Sequence, residues 1–136
     1  MMKVDGRCHC GDLAFEAEID PGRVTICHCS DCQSMSGSAY RVNVYTEESD
    51  FRLIRGEPAF YERTAESGRR RTHAFCRRCG AQIYSAGMDG EGRALSVRTG
   101  TLSQRAQLKP SRQIWCRSAM EWTQDLGDIP RREKDR

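Results

Sequence analysis

Apolar and polar residues alternate at period two through much of the chain, the pattern of short strands with one face buried. Residues 13–19 read Leu-Ala-Phe-Glu-Ala-Glu-Ile up to an Asp20-Pro21-Gly22 turn, and residues 24–26 carry a second strand into a cysteine-rich segment. Similar runs at residues 40–45, 51–54, 59–62, 71–75, 94–98 and 113–116 are separated by turns containing Gly, Pro or Ser. The spacing predicts an all-β domain of mainly antiparallel short strands, with a single helical turn near Ser30. No linker, repeat or low-complexity tract divides the chain. Residues 1–130 are therefore expected to form one domain and residues 131–136 a polar, frayed C-terminal tail.

Composition changes this picture in one respect. Leu, Ile, Val and Phe supply only 21 of 136 residues, below the roughly 20% at which composition alone begins to suggest disorder. A net charge of +3, from 22 basic and 19 acidic residues, is too small to complete that diagnosis. A small core stapled by metal reconciles the two, because metal binding contributes folding free energy directly.

Seven of the eight cysteines supply the staple: Cys8-His9-Cys10-Gly11, Cys27-His28-Cys29-Ser30-Asp31-Cys32 and Cys76-Arg77-Arg78-Cys79-Gly80. Crowded thiolates repel one another unless a soft divalent cation gathers them, and zinc is the commonest such ion. An even cysteine count also fits a disulfide framework. Against it, the start of the chain, Met1-Met2-Lys3-Val4-Asp5-Gly6, has no apolar segment of signal-peptide type, and no run is long enough to cross a bilayer. The expected compartment is the reducing cytosol, where such spacings bind metal.

Two sites follow from the arithmetic. A hook from the first cluster and one from the last close a four-sulfur tetrahedron, leaving the middle cluster to hold a second ion with three sulfurs and an open position, as catalytic zinc does. On a strand, Cys8 and Cys10 point the same way with His9 opposite, and Cys27 and Cys29 converge likewise until Cys32 joins them from the following turn. Cys76-x-x-Cys79-Gly80 has the form of a zinc knuckle, whose glycine takes a positive φ that lets amide N–H groups face the sulfurs. The same alternation aims His28 away from its cysteine neighbours, so it is expected to orient them rather than to ligate, and His73, three residues before Cys76, is read the same way. Cys116, in Ile114-Trp115-Cys116, is expected to be a small core residue. It is also the best protein candidate for closing the three-sulfur site.

The ordered motifs Gly6-x-Cys8-x-Cys10-Gly11 with Phe15, Cys27-His28-Cys29-Ser30-x-Cys32 with Ser36-Gly37-Ser38-Ala39, and Phe75-Cys76-x-x-Cys79-Gly80 resemble the glutathione-dependent formaldehyde-activating family, which includes centromere protein V. The resemblance continues through Gly56, Gly100-Thr101-Leu102, Ile114-Trp115 and Trp122, and so covers roughly residues 4–130. It implies a β-rich, tent-like fold and two zinc ions per chain: a closed structural one at Cys8, Cys10, Cys76 and Cys79, and a catalytic one at Cys27, Cys29 and Cys32. It also implies a carbon–sulfur lyase-type activity that joins glutathione and formaldehyde into S-hydroxymethylglutathione, an activity belonging to part of this diverse family. Gln113 stands where many relatives carry histidine, Ala81-Gln82 replaces small hydroxyl residues, and the end after Pro130 is charged where an aromatic is common. None of these departures touches a sulfur.

Three thiolates over-neutralise a divalent zinc, which weakens it as an activator of water and suits it to a fourth, soft sulfur ligand such as a glutathione-like thiol. That thiolate can add to an aldehyde carbon while a nearby donor stabilises the alkoxide. Glutathione carries two carboxylates, for which Arg41, Arg98, Arg112 and Arg117 are the strand-borne cationic candidates. The rival reading is a zinc-bearing nucleic-acid or protein interaction module without catalysis, since Arg69-Arg70-Arg71 and Arg77-Arg78 surround the knuckle. A sequence pI near 8.5 and the lack of interleaved aromatics count against it. A third reading is a metal-stapled scaffold without activity.

Overall fold

A computed structural model of the protein, described for residues 1–88 and 92–135, contains one helix and ten strands. In chain order these are β1 (Met2–Arg7), β2 (Ala14–Ile19), β3 (Val24–Cys27), α1 (Ser30–Ser36), β4 (Arg41–Glu47), β5 (Phe51–Arg55), β6 (Ala59–Thr64), β7 (Arg70–Phe75), β8 (Gln82–Gly87), β9 (Ala94–Arg98) and β10 (Arg112–Ile114). Two sheets result: a small one ordered β1-β2-β5 and a large one ordered β10-β3-β4-β9-β8-β7-β6. Every pairing is antiparallel except β10 with β3, which runs parallel. The chain is the mainly antiparallel β domain that its periodicity predicts.

Alternation explains how the sheets meet. In β2, Phe15, Ala17 and Ile19 are buried while Glu16 and Glu18 face solvent. Phe15 stacks on Phe51 of β5 at 5.0 Å between ring centres, and Phe51 meets Tyr84 of β8 edge-on at 5.2 Å, so aromatic packing ties the small sheet to the large one. Val44, Ile83, Leu95 and Val97 complete the same core from the large sheet. Gly6 is needed on β1 because a Cβ there would strike the Phe15 ring.

The middle strands of the large sheet, β4, β7, β8 and β9, carry buried residues on both faces, with different chemistry on each. Val44, Ala74, Ala86, Leu95 and Val97 face the core. The alternate residues Arg41, Asn43, His73, Ser85, Ser96 and Arg98 are buried too, but they line a cleft on the opposite side. Within one strand, successive side chains serve packing and cleft in turn.

Two expected placements need correction. Cys116 lies beyond β10, which ends at Ile114, in a short 3-10 turn (Cys116–Ser118), and it is exposed rather than a core residue. Trp115 causes the break, since its φ of 56° is the one positive φ of a non-glycine residue among those described, and a strand cannot continue through it. Cys8 and Cys10 lie in the turn after β1 rather than on a strand. Of the expected tail at residues 131–136, residues 131–135 are exposed and without regular structure, and Arg136 lies outside the described residues.

Candidate metal centre and cleft

Four sulfurs meet where two turns abut. Past β1 the chain folds back, Gly11 N–H donating to the Cys8 carbonyl (3.2 Å) and Cys8 N–H to the Leu13 carbonyl (3.1 Å), which brings Cys10 beside Cys8 without strand geometry. Past β7, Gly80 N–H donates to the Cys76 carbonyl (2.8 Å), with Gly80 at φ +78° as the knuckle requires. Cys8 and Cys10 sulfurs are 3.6 Å apart and those of Cys10 and Cys76 3.7 Å, and all four lie within 4.8 Å of one another. Four sulfurs set tetrahedrally 2.3 Å from one ion are about 3.8 Å apart, whereas a disulfide is about 2 Å long. All eight cysteines are free thiols, and the disulfide alternative is thereby excluded for the described geometry. Backbone N–H groups of Ala81 and Cys10 pull the Cys79 thiol down to about 6, which favours the thiolate a metal needs.

The middle cluster forms where β3 gives way to α1. Cys27 ends the strand, and Cys29 caps the helix, its sulfur accepting from Cys32 N–H (3.3 Å). Cys32 sits in the first turn, and the three sulfurs lie within 4.8 Å of one another with no fourth His, Cys, Asp or Glu ligand among the described residues. Hydrogen bonding from Cys32 holds the Cys27 thiol below its usual range, while that same bond and burial push Cys32 up against the pull of Arg41. A metal bound by the three sulfurs would displace their protons.

These sulfurs form part of the wall of a cleft of about 330 Å³, whose floor carries Arg41, Arg98 and His73. Arg41 lies opposite Cys27 in the β3–β4 register, and the charges of Cys27 and Cys32 are felt at Arg98. Burial and the neighbouring Arg41 pull Arg98 down to about 9, and it stays charged at neutral pH. Arg98 Nη1 donates to Asn43 Oδ1 (2.7 Å), and its Nη2 lies 3.3 Å from His73 Nδ1. Arg63 Nε donates to His73 Nε2 (3.0 Å) while its Nη1 donates to Asp31 (3.0 Å). Burial, then Arg98 and Arg63, drive His73 down to about 3, so it is neutral. A larger groove along the small sheet, lined by Lys3, Asp5, Glu16, Glu18, Asp50 and Arg52, shares no residue with either cysteine cluster.

Of the four arginine candidates, Arg41 and Arg98 line the cleft. Arg112 bonds Thr25 Oγ1 (2.8 Å) and flanks the Tyr45 ring, and Arg117 lies over Trp115 and pairs with Glu66 (2.9 Å). Arg63 and Arg71, which sequence reasoning did not single out for the cleft, belong to it. Arg71 shares the face of His73, two residues on along β7, and Arg63 lies opposite Arg71 on β6. His28 is buried and 2.7 Å from Gln113 Oε1, joining β3 to β10, and it is not among the clustered sulfurs' partners. Gln113, a departure from the family pattern, is thus the partner of His28. The basic run divides: Arg69 and Arg71 line the cleft, Arg71 donating to Ser85 (3.1 Å), whereas Arg70 is exposed and 3.8 Å from Glu62. No single basic face results.

No helix of the described chain is long and apolar enough to cross a membrane. A crystal structure of a Rhodobacter sphaeroides protein, determined as a structural-genomics target, superposes with a TM-score of 0.62 over 80% of this chain and 98% of its own, at 22% sequence identity, and so shares the fold. The sequence profile of a family described as glutathione-dependent formaldehyde-activating enzyme matches residues 3–118. With both cysteine clusters inside that span, the chain belongs to the glutathione-dependent formaldehyde-activating enzyme family.

Proposed function

We propose that the protein is a two-zinc enzyme that joins a glutathione-like thiol to an aldehyde such as formaldehyde, giving an S-hydroxymethyl thiol adduct. The observation that carries this reading is a set of three sulfurs, without a fourth protein ligand among the described residues, opening onto a cationic cleft. The donor set fits zinc on chemistry and spacing: Cys8, Cys10, Cys76 and Cys79 would hold a closed structural ion, and Cys27, Cys29 and Cys32 a second one. Zinc at the three-sulfur site would lower the pKa of an added thiol and favour its thiolate.

The reaction balances without a redox partner. The thiol gives up its proton to water, the thiolate sulfur forms a bond to the carbonyl carbon, the C=O π pair moves onto oxygen, and the alkoxide takes a proton back from solvent to give the hydroxymethyl adduct. The chain's own residues supply charge and position. Arg41, Arg63, Arg69, Arg71 and Arg98 outnumber Asp31 and Glu66 in the cleft, which favours an anionic thiol and an oxyanion product. Neutral His73, fixed beside Arg63, keeps that guanidinium oriented without adding a positive charge. A reducing cytosol is the compartment that suits eight free thiols. The nucleic-acid alternative loses support from the divergence of Arg70 and Arg71.

Cobalt substitution tests the thiol step. Glutathione is expected to change the sulfur-to-cobalt charge-transfer absorption, and S-methylglutathione, which has no thiol, to leave it unchanged. A cobalt spectrum indifferent to glutathione would sink this reading, and a salt-dependent shift of labelled oligonucleotide would favour the binding module.

A further inference from the structure

Buried arginines are expensive unless an anion or a set of acceptors compensates them, because an unpaired charge in the interior costs several kcal/mol. The cleft floor holds two, Arg41 and Arg98, each 6% exposed. Arg98 Nη1 has acceptors at Asn43 Oδ1 and the Ser96 carbonyl, but its Nε has none, and its Nη2 faces His73 Nδ1, which carries the ring proton because Nε2 accepts from Arg63. Arg41 is more exceptional: Nε and Nη2 are both buried without any partner, cysteine sulfur included. Those two atoms lie on one edge of the guanidinium and form a fork that matches the two oxygens of a carboxylate.

No carboxylate of the described chain fills that role. Asp31 is taken by Arg63 and Glu66 by Arg117, and neither Arg41, Arg71 nor Arg98 is within ion-pair distance of an acid among the described residues. Counter-charge for the thiolates does not account for the arrangement either. Three thiolates around a divalent ion leave one excess negative charge, against two adjacent buried cations, and a purely structural counter-ion would turn its donors to the sulfurs. A volume of about 330 Å³ lies at the small end of the range that takes a small molecule.

We propose that the unpartnered edge of Arg41, backed by Nε of Arg98, is a carboxylate subsite, and that the molecule entering the cleft is a carboxylic acid held there by its carboxylate. The inference rests on the reading of the cleft as a thiol site, since it places the carboxylate on the thiol-bearing molecule itself. It makes Arg41 the residue that separates acidic thiols from neutral and cationic ones.

Titration calorimetry with S-methylglutathione and its diethyl ester tests the subsite without any thiol chemistry. The acid is expected to bind, and the ester at least tenfold more weakly. Arg41→Gln should weaken the acid tenfold or more and leave the ester unaffected, while Arg70→Gln, which removes an exposed charge, should leave both unaffected. Equal binding of acid and ester to the native protein overturns the subsite, as does no binding of either. So does a matching loss in the Arg41 and Arg70 variants, which would assign the effect to overall charge. The comparison of acid with ester on the native chain stands even if Arg41→Gln fails to fold. Binding of S-methylglutathione together with a cobalt spectrum unmoved by glutathione would uphold the carboxylate subsite while removing the thiol role.

Discussion

His73 sits at the centre of a ring of guanidinium groups, and its neutrality is a condition of the fold. Its pKa in the folded chain is about 3, against an ordinary value of 6.5, so the unfolded chain binds the proton more readily. Stability is therefore undiminished above pH 6.5 and is lost as pH falls from 6.5 towards 3. His73→Gln keeps an acceptor for Arg63 and removes the titration. The melting temperature of this variant is expected to fall less steeply than that of the native protein across that window, a difference on the order of 2 kcal/mol by pH 4.5. Acid release of metal is common to both proteins and cancels in the comparison, and parallel pH profiles would refute the assignment. At this scale the sequence was most legible where chemistry is scarce. Cysteines at spacings of two and three announce ligands, whereas Arg63 and Arg71 are two among many arginines and nothing local separates a cleft cation from a solvated one.

Among the elements, the junction of β3 with α1 allows ligation to be separated from architecture. Cys29 is both a candidate ligand and the helix N-cap, and serine is itself a favoured N-cap, so Cys29→Ser should remove the thiolate while keeping α1. The expected product is a folded chain with one metal and no response to glutathione. Cys76→Ser, in contrast, opens the four-sulfur site that staples β1 to β7, and structural zinc contributes on the order of 10 kcal/mol. Its circular dichroism should show a largely unfolded chain; equal stability of the two variants would break the division into structural and catalytic sites. All eight expected strands fall within two residues of an observed one, β2 to β7, β9 and β10, because turn residues bound each run. β1 and β8 were missed for a physical reason: Gly6 stands at a buried position of β1, and Ser85 and Ala86 fill β8, so burial there is achieved by small or polar residues that carry little hydropathy signal. The parallel register of β10 on β3 is a long-range pairing that no local pattern encodes.

For the molecule as a whole, two sites of unequal denticity predict two steps of metal loss. Graded chelation of protein prepared with zinc should release one ion without changing the far-ultraviolet circular dichroism, and the second only with unfolding. Release in a single phase, or recovery of one ion per chain from zinc-replete preparations, would contradict this. The separation of 66 residues between Cys10 and Cys76 has a further consequence, for the nascent chain. At roughly 5–20 residues per second, the ribosome needs about 3–13 s to supply Cys76 after Cys10 has been made. The Cys27, Cys29 and Cys32 cluster is whole within six residues of its first member. On the proposed two-zinc reading, the three-sulfur site is then the first able to capture an ion during synthesis and the four-sulfur site the last, so the order of assembly runs opposite to the expected order of affinity and leaves Cys8 and Cys10 as waiting thiols for several seconds in every round of translation.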